Sequence, residues 1–137
     1  MRTGLLAVRG AIVYAGGMMK ALRGRAVLVT GASSGIGRAV ALDLSRRGFL
    51  VFAGVRRLVD AEALRAEATS ELECVLLDVA EAESRHAALA HIERAVGAQG
   101  LYGLVNNAGV SLGGPIECLD LDVLRRQFEV NVFSVVA

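Results

Sequence analysis

Aromatic residues are scarce in this sequence: there is no tryptophan, and four phenylalanines and two tyrosines are all it has. An interior built without large rings suits an Ala/Val/Leu-packed layer structure of sheet and helix. Fifteen Lys and Arg against fourteen Asp and Glu leave a net charge of only +1. With acids and bases interspersed and no basic stripe carrying interleaved aromatics, nucleic acid is excluded as an expected partner. The two cysteines, Cys74 and Cys118, lack C-x-x-C spacing. They read as buried thiols in a reducing compartment, the cytoplasm, and not as a staple or a metal site. His86 and His91 are five apart, whereas two ligands on one helical face stand four apart, so no metal is expected. No apolar run reaches the roughly 20 residues that span a bilayer. Arg9 interrupts the first candidate run, and the stretch from Gly10 to Met19 is too short. A membrane anchor is therefore disfavoured.

What is present is a chain of 137 residues, one domain's worth, organised around Arg25 to Gly37. Ala26 to Val29 is a short apolar run of the kind buried on both faces in a parallel sheet. It leads into Gly31, Gly35 and Gly37, and an amphipathic helical pattern follows. Strand, glycine turn and helix together aim backbone N–H groups and the positive end of a helix dipole at a phosphate. The P-loop reading fails because Arg38-Ala39 follows Gly37 where Lys-Ser/Thr is needed. The G-x-G-x-x-G reading fails because Val40 stands where the third glycine belongs.

Strand and helix signals alternate onward. Ile36, Val40 and Leu44 form a buried stripe with Leu42 nearby, and Gly48 ends that helix. Phe49 to Val55 is a second strand. Asp60 caps a short helix through Ala68 that carries Leu64 inward. Leu72 to Leu77 is a third strand, and Glu81 to Val96 a helix with Leu89, Ile92 and Val96 on one side. Leu101 to Val105 is a fourth strand, and a last helix runs from Asp120. This order predicts a doubly wound, Rossmann-like parallel sheet with helices on both faces. Ligands of such sheets bind beyond the C-terminal strand ends. Gly31–Gly37, Val55–Arg57, Asp78–Val79 and Asn106–Gly109 are all strand exits, so the topology gathers them on one edge.

Thr-Gly-x-x-x-Gly-x-Gly over Thr30 to Gly37, followed by Asn-Asn-Ala-Gly over Asn106 to Gly109, resembles the short-chain dehydrogenase/reductase family. The resemblance covers Arg23 to Ala137. It implies an NAD(P)-dependent oxidoreductase that moves hydride between nicotinamide and a carbonyl or secondary alcohol. By that resemblance Thr30, Gly31, Ser33, Ser34, Gly35, Ile36 and Gly37 form the pyrophosphate loop. Asp78 accepts from the adenine amino group, with helix capping as its alternative role, and Val79 adds backbone contact. Ala108 and Gly109 let the cofactor approach the backbone, and Asn106 ties neighbouring strands together. Asn131 is the active-site asparagine, bending the last helix and holding a water in a proton relay, with an asparagine satisfied by local backbone as the alternative. At the second strand's exit an acid would select NAD. Arg56-Arg57 stands there instead, and a guanidinium can hold a 2′-phosphate bidentately, so Arg56 favours NADP, with NAD possible.

The family's catalytic tyrosine and the lysine four residues later are absent. The single lysine is Lys20, with Gly16 four before it, and no Tyr-x-x-x-Lys occurs. The serine that orients substrate in relatives belongs to later segments. The expectation is therefore a cofactor-binding front half, residues 23–137, of a longer and oligomeric reductase, inactive as it stands. Residues 1–22 are expected to be an upstream extension, with the start at Met18 or Met19. A non-catalytic dinucleotide-binding module is the alternative, and Asn106–Gly109 disfavours a methyltransferase.

Overall fold

The computed structural model describes residues 22–137. The extension and the start at Met18 or Met19 expected from the sequence lie outside the described residues. Four strands, β1 (Ala26–Val29), β2 (Leu50–Val55), β3 (Leu72–Leu76) and β4 (Gly103–Val105), form one sheet in the order β3-β2-β1-β4. Every pairing is parallel, with Val27 opposite both Val51 and Gly103. The chain steps outward from β1 to β3 and returns to the far side of β1 for β4. The strand order therefore reverses between β1 and β4, which is where a crevice opens in folds of this kind.

Helices cover both faces. The first core joins β1 and β2 side chains (Val29, Val51, Ala53, Val55) to Ala41 of α1 (Gly35–Arg46) and Ala61 and Leu64 of α2 (Leu58–Glu67). The second joins Ala26, Phe52, Val75 and Leu77 to Ala88 and Ile92 of α3 (Ala82–Val96). Phe52 and its neighbours Val51 and Ala53 fall into different cores because strand side chains alternate. The architecture is thus the doubly wound, Rossmann-like α/β sheet that the alternation of patterns predicts.

Several local expectations are corrected. α1 presents Gly37, Ala41 and Ser45 inward, while Ile36 is 77% exposed. Small residues face the sheet because the helix starts hard against the β1 loop, and Val40, Leu42 and Leu44 fill its margins. In α3 the inward residues are Ala88 and Ile92, and Leu89 is exposed. The cap of α2 is Arg57, not Asp60, whose carboxylate sits in the first turn and takes Arg57 instead. Cys118 is exposed, not buried, because its short 3-10 turn (Ile116–Cys118) lies outside both cores. Cys74 is half-buried and its thiol donates to the Ala61 carbonyl at 3.5 Å.

The last helix is not continuous. α4 (Leu121–Phe128) begins at Asp120, whose carboxylate accepts from the Asp122 N–H. It passes into a π-helical turn over Glu129–Phe133 and ends as α5 (Ser134–Val136).

Candidate functional site: a cleft at the strand exits

The C-terminal ends of all four strands converge on a cleft of about 240 Å³. Its wall takes Gly31, Ser33 and Ser34 from the β1 exit and Gly54 to Arg56 from β2. Leu77 to Val79 come from β3, and Asn107 to Val110 from β4. Val130 of the π turn closes one side.

The β1 exit is shaped by backbone. Gly31 has φ +66°, and a Cβ there would stand 2.8 Å from the Ala108 Cα. Only glycine allows both the turn and the approach of the β4 loop. A Cβ on Gly37 would overlap the Asn107 amide nitrogen and the Gly31 carbonyl, so the start of α1 also presses on its own approach loop. Ser34 is the cap residue of α1, yet its side chain makes no capping hydrogen bond, and no acid occupies the first turn. The leading N–H groups and the positive end of the helix dipole are therefore left without a protein carboxylate.

The β1 and β4 exits are bolted together across the switch point. Thr30, 5% exposed, accepts at Oγ1 from the N–H groups of Asn107 (3.0 Å) and Ala108 (2.9 Å) and donates to the Val105 carbonyl at 3.3 Å. The Asn107 amide donates to the carbonyls of Thr30 (3.0 Å) and Gly31 (3.1 Å). The tie expected of Asn106 is thus made by Asn107. Asn106 is exposed and points, with Leu104, to the opposite side of the sheet, as alternation from Val105 requires. Asn107 is the residue that sequence reasoning missed: two adjacent asparagines cannot be told apart until the register with β1 is known.

Of the residues expected at the site, the cleft wall contains Gly31, Ser33, Ser34, Arg56, Asp78, Val79, Ala108 and Gly109. Gly35, Ile36 and Gly37 form the adjoining first turn of α1, and Thr30 stands behind the wall as a brace. Asp78 also works locally. Its carboxylate accepts from the Ala80 N–H at 3.0 Å and its own N–H donates to Ser84 Oγ at 2.9 Å, closing the turn into α3. Asn131 pairs both ends of its amide with the Val110 backbone, accepting from N–H and donating to C=O, each at 2.8 Å. That bond pair fixes the π turn against the β4 exit, and π turns of this kind recur at functional sites.

The β2 exit carries two guanidiniums with different fates. Arg57 gives Nε and Nη2 to the Asp60 carboxylate at 2.8 and 2.6 Å, and Arg56 lines the cleft. The hydrogen bond from Arg57 holds the Asp60 carboxyl below its ordinary value, and Asp60 raises Arg57 in turn. Among the described residues no cluster of His, Cys, Asp and Glu is arranged to hold a metal.

A family model described as short chain dehydrogenase matches residues 25–137. The chain belongs to the short-chain dehydrogenase family. It is 38% identical over 112 residues to an NADPH-dependent 3-dehydrocapnine reductase of Ornithobacterium rhinotracheale, covering 82% of this chain and 40% of that protein. It is 40% identical over 116 residues to retinol dehydrogenase 7 of Rattus norvegicus, covering 84% of this chain and 37% of the relative. Among solved structures, a short-chain dehydrogenase/reductase mutant from Serratia marcescens superposes with a TM-score of 0.76 at 34% identity. That match covers 84% of this chain and 48% of the Serratia chain. The short-chain dehydrogenase chain thus spans well under half the length of the two enzymes named. Among its described residues no helix is long and apolar enough to cross a membrane.

Proposed function

We propose that the cleft holds a pyridine dinucleotide, NADP in preference to NAD, and that these residues serve an oxidoreductase acting on a carbonyl or secondary alcohol. The observation that carries the reading is the convergence of four strand exits around an uncapped helix start, with Arg56 at the rim. The residues fit such a group. Gly35 has φ +55° and open space where a Cβ would stand, so the backbone at the helix start is accessible to a diphosphate. Ser33 and Ser34 add hydroxyl donors, and Asp78 with Val79 lies at the β3 exit as an acceptor for an adenine amino group. Arg56 recognises a 2′-phosphate by a planar, permanently charged fork. The reductase relative's NADPH dependence supports the same preference.

The nicotinamide supplies hydride chemistry; the protein supplies position and polarity. Asn131 holds the β4 exit in place through Val110, and the water-holding role implied for it belongs to the same reading. The 137 residues contain no Tyr-x-x-x-Lys, so this chain is expected to bind without turnover. Turnover then belongs to a longer polypeptide, a reading supported by the 40% share of the reductase that the chain spans. We assign the protein to the cytoplasm on its unpaired cysteines. Self-association is supported by the exposed Phe128, Val132, Phe133 and Val136 of the last helical segment.

Dissociation constants for NADP and NAD, measured calorimetrically on the full chain and on Arg56→Ala, test the proposal. Wild type should favour NADP, and Arg56→Ala should lose that preference by about tenfold while keeping NAD affinity, as removal of a charge-assisted hydrogen bond requires. An unchanged ratio removes the preference, and failure of both nucleotides to bind removes the reading.

A further inference from the structure

The two arginines at the β2 exit are adjacent in sequence but are used differently. Arg57 is the extended cap residue of α2 (φ −130°, ψ 143°), and its guanidinium reaches forward to Asp60 in the first turn of that helix. Arg56 lines the cleft, while Arg57 is committed to Asp60 through two parallel hydrogen bonds. Bidentate pairing of this kind fixes direction as well as charge. It sets a carboxylate against the second guanidinium and offsets that charge within the field of Arg56.

We propose that Asp60 is a specificity-determining positioning residue: by clamping Arg57 it leaves Arg56 as the guanidinium turned to the cofactor and sets the net charge that a ribose 2′-phosphate meets. The inference rests on the dinucleotide reading of the cleft. Arg57 then serves chiefly to neutralise Asp60, and this gives the two partners opposite effects. Without Asp60, the rim gains a freed guanidinium beside Arg56. Without Arg57, it carries an uncompensated carboxylate whose interaction with Arg56 opposes phosphate binding. The Arg56 charge already acts on the Asp60 carboxyl, so the two lie within each other's field.

The test is the ratio of NAD to NADP dissociation constants on the full chain, compared among wild type, Asp60→Asn, Arg57→Ala and the double variant. The ratio should rise about threefold in Asp60→Asn and fall about threefold in Arg57→Ala, the scale of an exposed charge pair. It should return near wild type in the double variant, and the shifts should shrink in high salt. A role confined to starting α2 would change both dissociation constants together and leave the ratio still. That result, or movement of both single variants in one direction, overturns the inference. Wild type that binds neither nucleotide overturns the dinucleotide reading beneath it, which separates the two failures.

Discussion

Thr30 braces the site from behind its wall, joining the β1 and β4 exits through one hydroxyl. Its hydroxyl satisfies two backbone N–H groups of the β4 loop from a nearly solvent-free position. Thr30→Val keeps the shape but leaves those donors unpaired, and should cost about 2–4 kcal/mol in denaturant unfolding. Thr30→Ser, which keeps the oxygen, should cost less than about 1.5 kcal/mol for the lost methyl group. Equal losses in the two variants would show that the hydroxyl carries nothing. The cysteines give a second test at this scale. Burial pushes the Cys74 thiol up from its ordinary value, and its Sγ is turned to the Ala61 carbonyl, whereas Cys118 lies exposed. Thiolate is the reactive form, so a maleimide at neutral pH should label Cys118 well before Cys74, as peptide mapping by mass spectrometry would show.

Among the elements, the β4 exit and the last helix depend on each other through one amide. Asn131→Ala removes both bonds to the Val110 backbone from an exposed position. The expected loss is about 1–2 kcal/mol, with faster hydrogen exchange at the Val110 amide and little change at Val29. The start of α2 is pH-sensitive with a definite sign. The Asp60 carboxyl is held below its ordinary 3.8, so the pair's contribution is complete above that value. It is lost as pH falls through the lowered folded-state value. Asp60→Asn should therefore flatten the part of the acid unfolding limb below about pH 4 and leave neutral stability nearly unchanged, since exposed pairs contribute little. The first two strands are legible because β1 and β2 are apolar runs bounded by glycine or charge, whereas β3 carries Glu73 within it and β4 is only Gly103–Val105. The strand exits were legible because parallel order alone sends them to one edge. What sequence could not resolve was facing. The inward residues of α1 are small because the loop and sheet press close, a tertiary fact that overrides the larger apolar pattern of Ile36. Choosing between Asn106 and Asn107 required the register Val29 opposite Val105.

For the whole molecule, the exposed apolar surface is as informative as the core. Leu89, Leu101 and Leu104 line an apolar groove with Ser134, Val135 and Ala137 along the open edge of β4. Unpaired edges and apolar patches of this kind promote association. Sedimentation velocity should show self-association of the chain that weakens in Leu104→Lys; a monomer at every concentration would contradict this.

Whether the four strand exits form one dinucleotide cleft is read from amide chemical shifts on titrating NADP into the isotopically labelled chain. Saturable shifts should be confined to Gly31–Gly37, Val55–Arg56, Asp78–Val79 and Asn107–Gly109. Shifts centred on the opposite end of the sheet, around Arg23, Gly48 and Glu71, or no shifts in a folded chain, would contradict it.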